Sequence, residues 1–155
     1  AGLSFLLAIF HLVRLAGWYD RRLWAHPLLW VLHLGYLWLP IGLVLQSLAW
    51  WHQVSPFLAL HALTVGCMGQ LMIGMMARVA LGHTGRELRA PRAVAVGFGL
   101  VNGAALLRSF VPWMAPQSYL IWVCLAATLW STAFFLYGMQ YCLILLRPRA
   151  DGRPG

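Results

Sequence analysis

PFLALHALTVGCMGQLMIGMMARVALGHTGRELRAPR, residues 56–92, decides the fold. Its first part, residues 56–77, carries no charge; the remainder carries Arg78, Arg86, Arg89 and Arg92 against a single acid, Glu87. The uncharged run matches the ~20 apolar residues that cross the hydrocarbon core of a bilayer. An apolar rod that ends in a cationic turn reads as a membrane helix reaching the headgroup layer.

The same pattern extends in both directions. No charged residue occurs in residues 24–77, nor in residues 109–146. The 155-residue chain is 62% hydrophobic and only 9% charged, with a mean hydropathy of +0.76. A soluble domain carries roughly 25% charged residues, so a soluble fold is excluded by the want of polar surface. The expectation is an all-α, polytopic transmembrane helix bundle forming a single domain. The formal net charge of +8 does not point to nucleic acid, because the basic residues are all arginine and cluster between apolar segments.

Five apolar segments follow, at residues 2–15, 27–50, 56–81, 93–111 and 119–146, with a tail at 147–155. Pro27 and Pro56 suit first helical positions, where a missing N–H costs nothing. The first segment is short, and the sequence starts without Met, a basic leader region or a small-residue cleavage site. It is therefore expected to be a truncated helix of a longer protein's C-terminal portion rather than a signal peptide. Successive spans place alternate loops on opposite sides. Arg21, Arg22, Arg86, Arg89, Arg92, Arg147, Arg149 and Arg153 all fall in the first and third connections and the tail, with Arg14 and Arg78 at adjoining helix ends. Cationic loops stay cytoplasmic, so the tail is expected to be cytoplasmic; Arg108 alone departs from the rule.

Details of packing are also legible. Ala95, Gly99 and Gly103 repeat at a spacing that admits a close helix neighbour. Trp18, Trp24, Trp50, Trp51, Trp113 and Tyr119 fall at the expected interfaces. Cys67, Cys124 and Cys142, inside apolar segments and without CxxC spacing, read as buried small hydrophobes. Asn102, Gln46, Gln70 and Gln140 are candidates for interhelical hydrogen bonds. Gly82 is placed for a left-handed helix cap, and Thr84 to Glu87 has capping-box spacing.

Neutral imidazole is a common ligand for haem iron, copper and zinc. His11 and His33 lie at similar depths toward the arginine-rich side and either flank one cofactor or make interhelical hydrogen bonds. His61 lies near the other side; Val65, Met68, Met72 and Met75 follow it at helical spacing. That stripe is either core packing or a soft-ligand copper site of His61, Met68 and Met72. Arg78, His83 and Arg86 either fix topology and meet anionic headgroups or hold haem propionates. Arg108 is placed to snorkel. No Walker loop, GxSxG, HExxH, CxxCH or intramembrane carboxylate pair occurs.

The segments LHALTVGCMGQLMIGMMARVALGHTGREL (residues 60–88) and WYDRRLWAHPLLWVLHLGYLWLPIGL (residues 18–43) resemble the NnrS family. The resemblance runs from about His11 to Leu146, and the ARVxLGHTGR element is its most specific part. It implies a multi-pass bacterial inner-membrane protein that contains haem and copper and serves denitrification or the response to nitric oxide and nitrosative stress. The family pattern falls on His33, His61, Arg78, His83, Gly85 and Arg86, and extends to His11 and Arg14. Implied partners are the lipid bilayer, haem, nitric oxide and the family's further N-terminal helices, with no nucleic acid. A haem-dependent membrane oxidoreductase that turns over nitric oxide, and a cofactor-free transporter or assembly factor, are the competing functions.

Overall fold

The computed structural model describes residues 1–152; Arg153, counted above with the cationic tail, lies outside the described residues. Helix α1 spans Gly2–Gly17, and a short 3₁₀ turn at Arg21–Ala25 leads into α2, Pro27–Trp50. Helix α3 runs over Pro56–His83, and α4 over Arg92–Ser109. A small helical corner, Val111–Met114 and Pro116–Ser118, turns into α5, Tyr119–Leu146. Helices α2 to α5 are each long and apolar enough to cross a membrane, while α1 is a shorter apolar helix.

The expected helix starts hold for local reasons. Pro27 and Pro56 open α2 and α3, and the Ser55 hydroxyl accepts the Phe57 N–H ahead of the second. The helix ends are less obvious. α3 continues through Gly82 to His83, and Gly85 takes the left-handed conformation (φ +66°). The Arg86 N–H then bonds the Leu81 carbonyl and the Gly85 N–H bonds the Gly82 carbonyl, which is a Schellman ending. Gly82 is thus not the left-handed cap. Nor does Thr84 open a capping box: its hydroxyl donates back to the Ala80 carbonyl at 2.7 Å, and the next helix starts only after Pro91. The same device ends α2. Gln53 N–H bonds Leu48 O, His52 N–H bonds Ala49 O, and His52 holds φ +56° without being glycine.

Antiparallel α2 and α3 pack knob into notch. Leu71 fills the notch at Gly35, Leu63 that at Gly42, Trp38 that at Gly66 and Val31 that at Gly74. These pairs fix one register along the whole contact. Small residues matter here because dispersion contacts, not water release, hold helices together in lipid. The expected stripe on α4 meets α5 only in part: Gly103 lies against Leu129, nothing approaches Gly99, and a Cβ on Gly97, outside the stripe, would meet the Ala133 carbonyl of α5 at 3.2 Å. Phe98, Val101 and Ala105 complete the buried α4 face. The Trp38 indole donates to Asn102 Oδ1 at 2.8 Å, and the Gln70 amide donates to the Phe98 carbonyl at 3.3 Å. Two of the expected amide bridges are therefore present. Only Cys67 is buried; Cys124 and Cys142 are exposed on α5, correcting the reading of all as core.

One departure from regular helix bears on the site. Residues Ala62–Met68 of α3 form a π-helical segment. The wider turn accommodates an extra residue, and such bulges recur at functional sites.

Candidate functional site

Two histidine-bearing clefts open near opposite ends of the bundle. In the α2–α3 register, His33 lies beyond the Gly35–Leu71 contact and His61 beyond Gly42–Leu63. At ~1.5 Å per residue they stand roughly 15 Å apart along the bundle.

The cleft at the arginine-rich end has a volume of about 570 Å³ and is lined by Trp18, Asp20, Arg22, His26, His33, Tyr36 and Met75, over leucine walls. α2 places His33 and Tyr36 on one face, the 3₁₀ turn brings Arg22, and α3 brings Met75. Asp20 accepts the Arg22 N–H at the start of that turn. The half-buried His33 ring stands 6.0 Å from that of Tyr19 and makes no hydrogen bond to a described residue. Its nitrogens are unspent. His11, on neighbouring α1, is differently employed: its Nδ1 lies 2.6 Å from the Tyr36 hydroxyl.

A smaller groove of about 360 Å³ is lined by Met75, Arg78, Val79, Gly82, His83 and Leu88. Met75 is a wall of both, so the Arg78 and His83 groove adjoins the His33 cleft. Arg86 does not line it. Its guanidinium donates to the Thr84 and Pro148 carbonyls, while Arg149 donates to the His83 carbonyl at 2.9 Å and the Ala150 N–H to Thr84 O. The tail thus straps across the α3–α4 turn. The hydrogen bond and ion pair of Arg149 with Asp151 raise the pKa of that guanidinium further.

The cleft at the other end, about 640 Å³, is lined by Ser55, His61, Arg108, Trp113 and Tyr119 over apolar walls. His61 Nδ1 bonds the Phe57 carbonyl, which fixes the proton on Nδ1 and leaves Nε2 as a free lone pair. Arg108 donates to the Tyr119 hydroxyl at 3.2 Å and lies over its ring. Met68 and Met72 do not line this cleft, and both are more than half exposed. The π segment intervenes: one extra residue re-phases the helix by about 100°, so a stripe counted at regular spacing from His61 does not stay on its face. Met75 faces the His33 cleft instead. Among the described residues, no three His, Cys, Asp or Glu side chains come close enough to hold a metal ion.

Sequence reasoning missed His26, Tyr36 and Arg22 as neighbours of His33. The signal was present in part, since His26, His33 and Tyr36 recur at helical spacing. The pairing of Arg108 with Tyr119 depends on the corner at residues 110–118, which no periodicity marks.

Membrane-length apolar helices that close two histidine-bearing clefts, with cations gathered at one end, define a polytopic helical membrane protein. The chain belongs to the NnrS family: the family model described as NnrS protein matches residues 1–149. No curated protein and no solved structure matches it.

Proposed function

We propose that this chain is part of a haem- and copper-binding protein of the bacterial inner membrane, with its C-terminus cytoplasmic, that serves the response to nitric oxide and nitrosative stress or denitrification. The observation that carries this reading is His33: an imidazole without a hydrogen bond to any described residue, in an apolar cleft within the ~300–1,000 Å³ range of cofactor sites. Its surroundings fit a haem. Leucine and aromatic walls suit the macrocycle, and Arg22, with Arg78 in the adjoining groove, offers positive charge for carboxylates, beside the His83 ring. A bound haem would supply an iron able to take a diatomic ligand; His33 would offer it a ring nitrogen, the leucine walls would exclude water, and Arg22 and Arg78 would hold the carboxylates.

His61 Nε2 fits a soft or borderline metal such as copper, with its Nδ1–H held by the Phe57 carbonyl in the manner of metal-bound histidines. Met68 and Met72 face away from this nitrogen, so the remaining ligands would come from other segments of the protein. His11 serves by orienting Tyr36 at the cleft wall.

Visible spectra and metal contents of the full-length protein, with His33 and His61 changed singly to Ala, test the assignment. His33→Ala is expected to lose haem and keep copper, and His61→Ala the reverse. Wild-type contents of both metals in both variants would refute it.

A further inference from the structure

A further depression shares only His26 with the His33 cleft and Leu88 with the groove beside it. It lies between the turn that precedes α2 and the α3–α4 turn, with a volume of about 510 Å³, and is lined by His26, Leu28, Glu87, Leu88, Arg89 and Arg92 among smaller residues. Arg89 and Arg92 are exposed, and neither side chain makes a hydrogen bond or ion pair to a described residue. Glu87 is the only acid on the wall. The two guanidiniums therefore leave positive charge uncompensated in a groove that also presents apolar surface. Leu88 is 51% exposed there, and Pro27, Ala90 and Ala95 continue its apolar wall.

A free anion would meet the arginines and leave Leu88 and the wall beside it uncovered. A molecule with a phosphodiester and a hydrocarbon chain satisfies both. Basic pockets between membrane helices at an arginine-rich end have the chemistry that recognises anionic lipid headgroups, and guanidinium matches phosphate oxygens geometrically. The geometry points to a dedicated anionic-phospholipid site, with the phosphodiester between Arg89 and Arg92 and an acyl chain along Leu88 and Ala95. The site shares only the wall residues His26 and Leu88 with the haem cleft and its adjoining groove, and Arg89 and Arg92 belong to neither, so a change confined to these two arginines tests it apart from the proposed function.

The test uses the full-length protein in phosphatidylcholine vesicles that contain phosphatidylglycerol, with retained lipid counted by native mass spectrometry. The wild type is expected to prefer phosphatidylglycerol over phosphatidylcholine by about tenfold or more, given the usual worth of two arginines near an anionic surface. Arg89→Gln with Arg92→Gln should bring the preference close to parity, Arg89→Lys with Arg92→Lys should keep most of it, and Arg147→Gln should leave it intact. Circular dichroism checks that each variant remains helical. Three results would overturn the site: a Gln pair that keeps the wild-type preference, an Arg147→Gln loss as large as that of the pair, or full displacement of the lipid by millimolar inorganic phosphate. The first two would mean a diffuse charge effect, and the last a site for a free anion.

Discussion

The indole of Trp38 occupies the space where Gly66 lacks a side chain, and a Cβ there would come within 2.8 Å of its Cε3. Trp38 cannot move aside freely, because its Nε1 is bonded to Asn102 of α4 and its ring packs on Phe110. Gly66→Ala is therefore expected to destabilise the bundle by about 1–3 kcal/mol through overpacking. Gly99→Ala, with open space around it, should be neutral or slightly stabilising because Ala is the better helix former. Thermal melts in one detergent separate the two, and equal effects would contradict the knob-and-notch account.

The two left-handed helix endings respond oppositely to substitution. Gly85 needs its φ of +66°, and a Cβ there would also strike the Asp151 carboxyl at 2.6 Å. Gly85→Ala should cost about 1–3 kcal/mol, the range for a strained backbone position. His52 pays that conformational cost already, at φ +56°, so His52→Gly should raise the melting temperature by the equivalent of about 0.5–1 kcal/mol. A destabilised His52→Gly protein would show that the imidazole makes a compensating contact.

How legible was all this from the sequence? The helices were, since Pro27, Pro56 and the uncharged runs mark starts and lengths without reference to a partner. Which side of a helix meets its neighbour was not. Gly99 and Gly97 are both small residues on α4, and only the position of Ala133 distinguishes them. Thr84 was misread because a Ser or Thr near a turn serves either end of a helix, and the choice depends on where the chain turns left-handed. For the candidate site, His33 and His61 stand in clefts whose other residues are set mostly by tertiary structure. Met75 went to His33 rather than His61 because the π segment leaves no sequence period.

The bond between His11 and Tyr36 yields a prediction that separates structural from ligand roles. A double-mutant cycle with His11→Phe and Tyr36→Phe should give a coupling of about 0.5–1.5 kcal/mol in unfolding stability. Haem content should persist in His11→Phe at close to the wild-type level. Loss of haem in that variant equal to the loss in His33→Ala would instead make His11 a ligand.

Met68 and Met72 offer a test of the re-phased helix. Since neither lines the cleft of His61, joint change of both to Leu should leave copper content unaltered, as read by elemental analysis of the full-length protein. Copper loss matching that of His61→Ala would require α3 to adopt an unbulged form when loaded.

The π segment at Ala62–Met68 also makes residue number, apart from residue identity, a specification of this fold. Within it α3 offers Leu63 to Gly42 and Gly66 to Trp38; beyond it the same helix offers Leu71 to Gly35 and Gly74 to Val31. Removing a single residue from the regular turns beyond it would turn one half of α3 against the other by about 100°, whereas removing one inside the segment would let it close into regular helix and leave the flanking turns in phase. A one-residue deletion is thus expected to be tolerated inside Ala62–Met68 and not in the regular turns beside it.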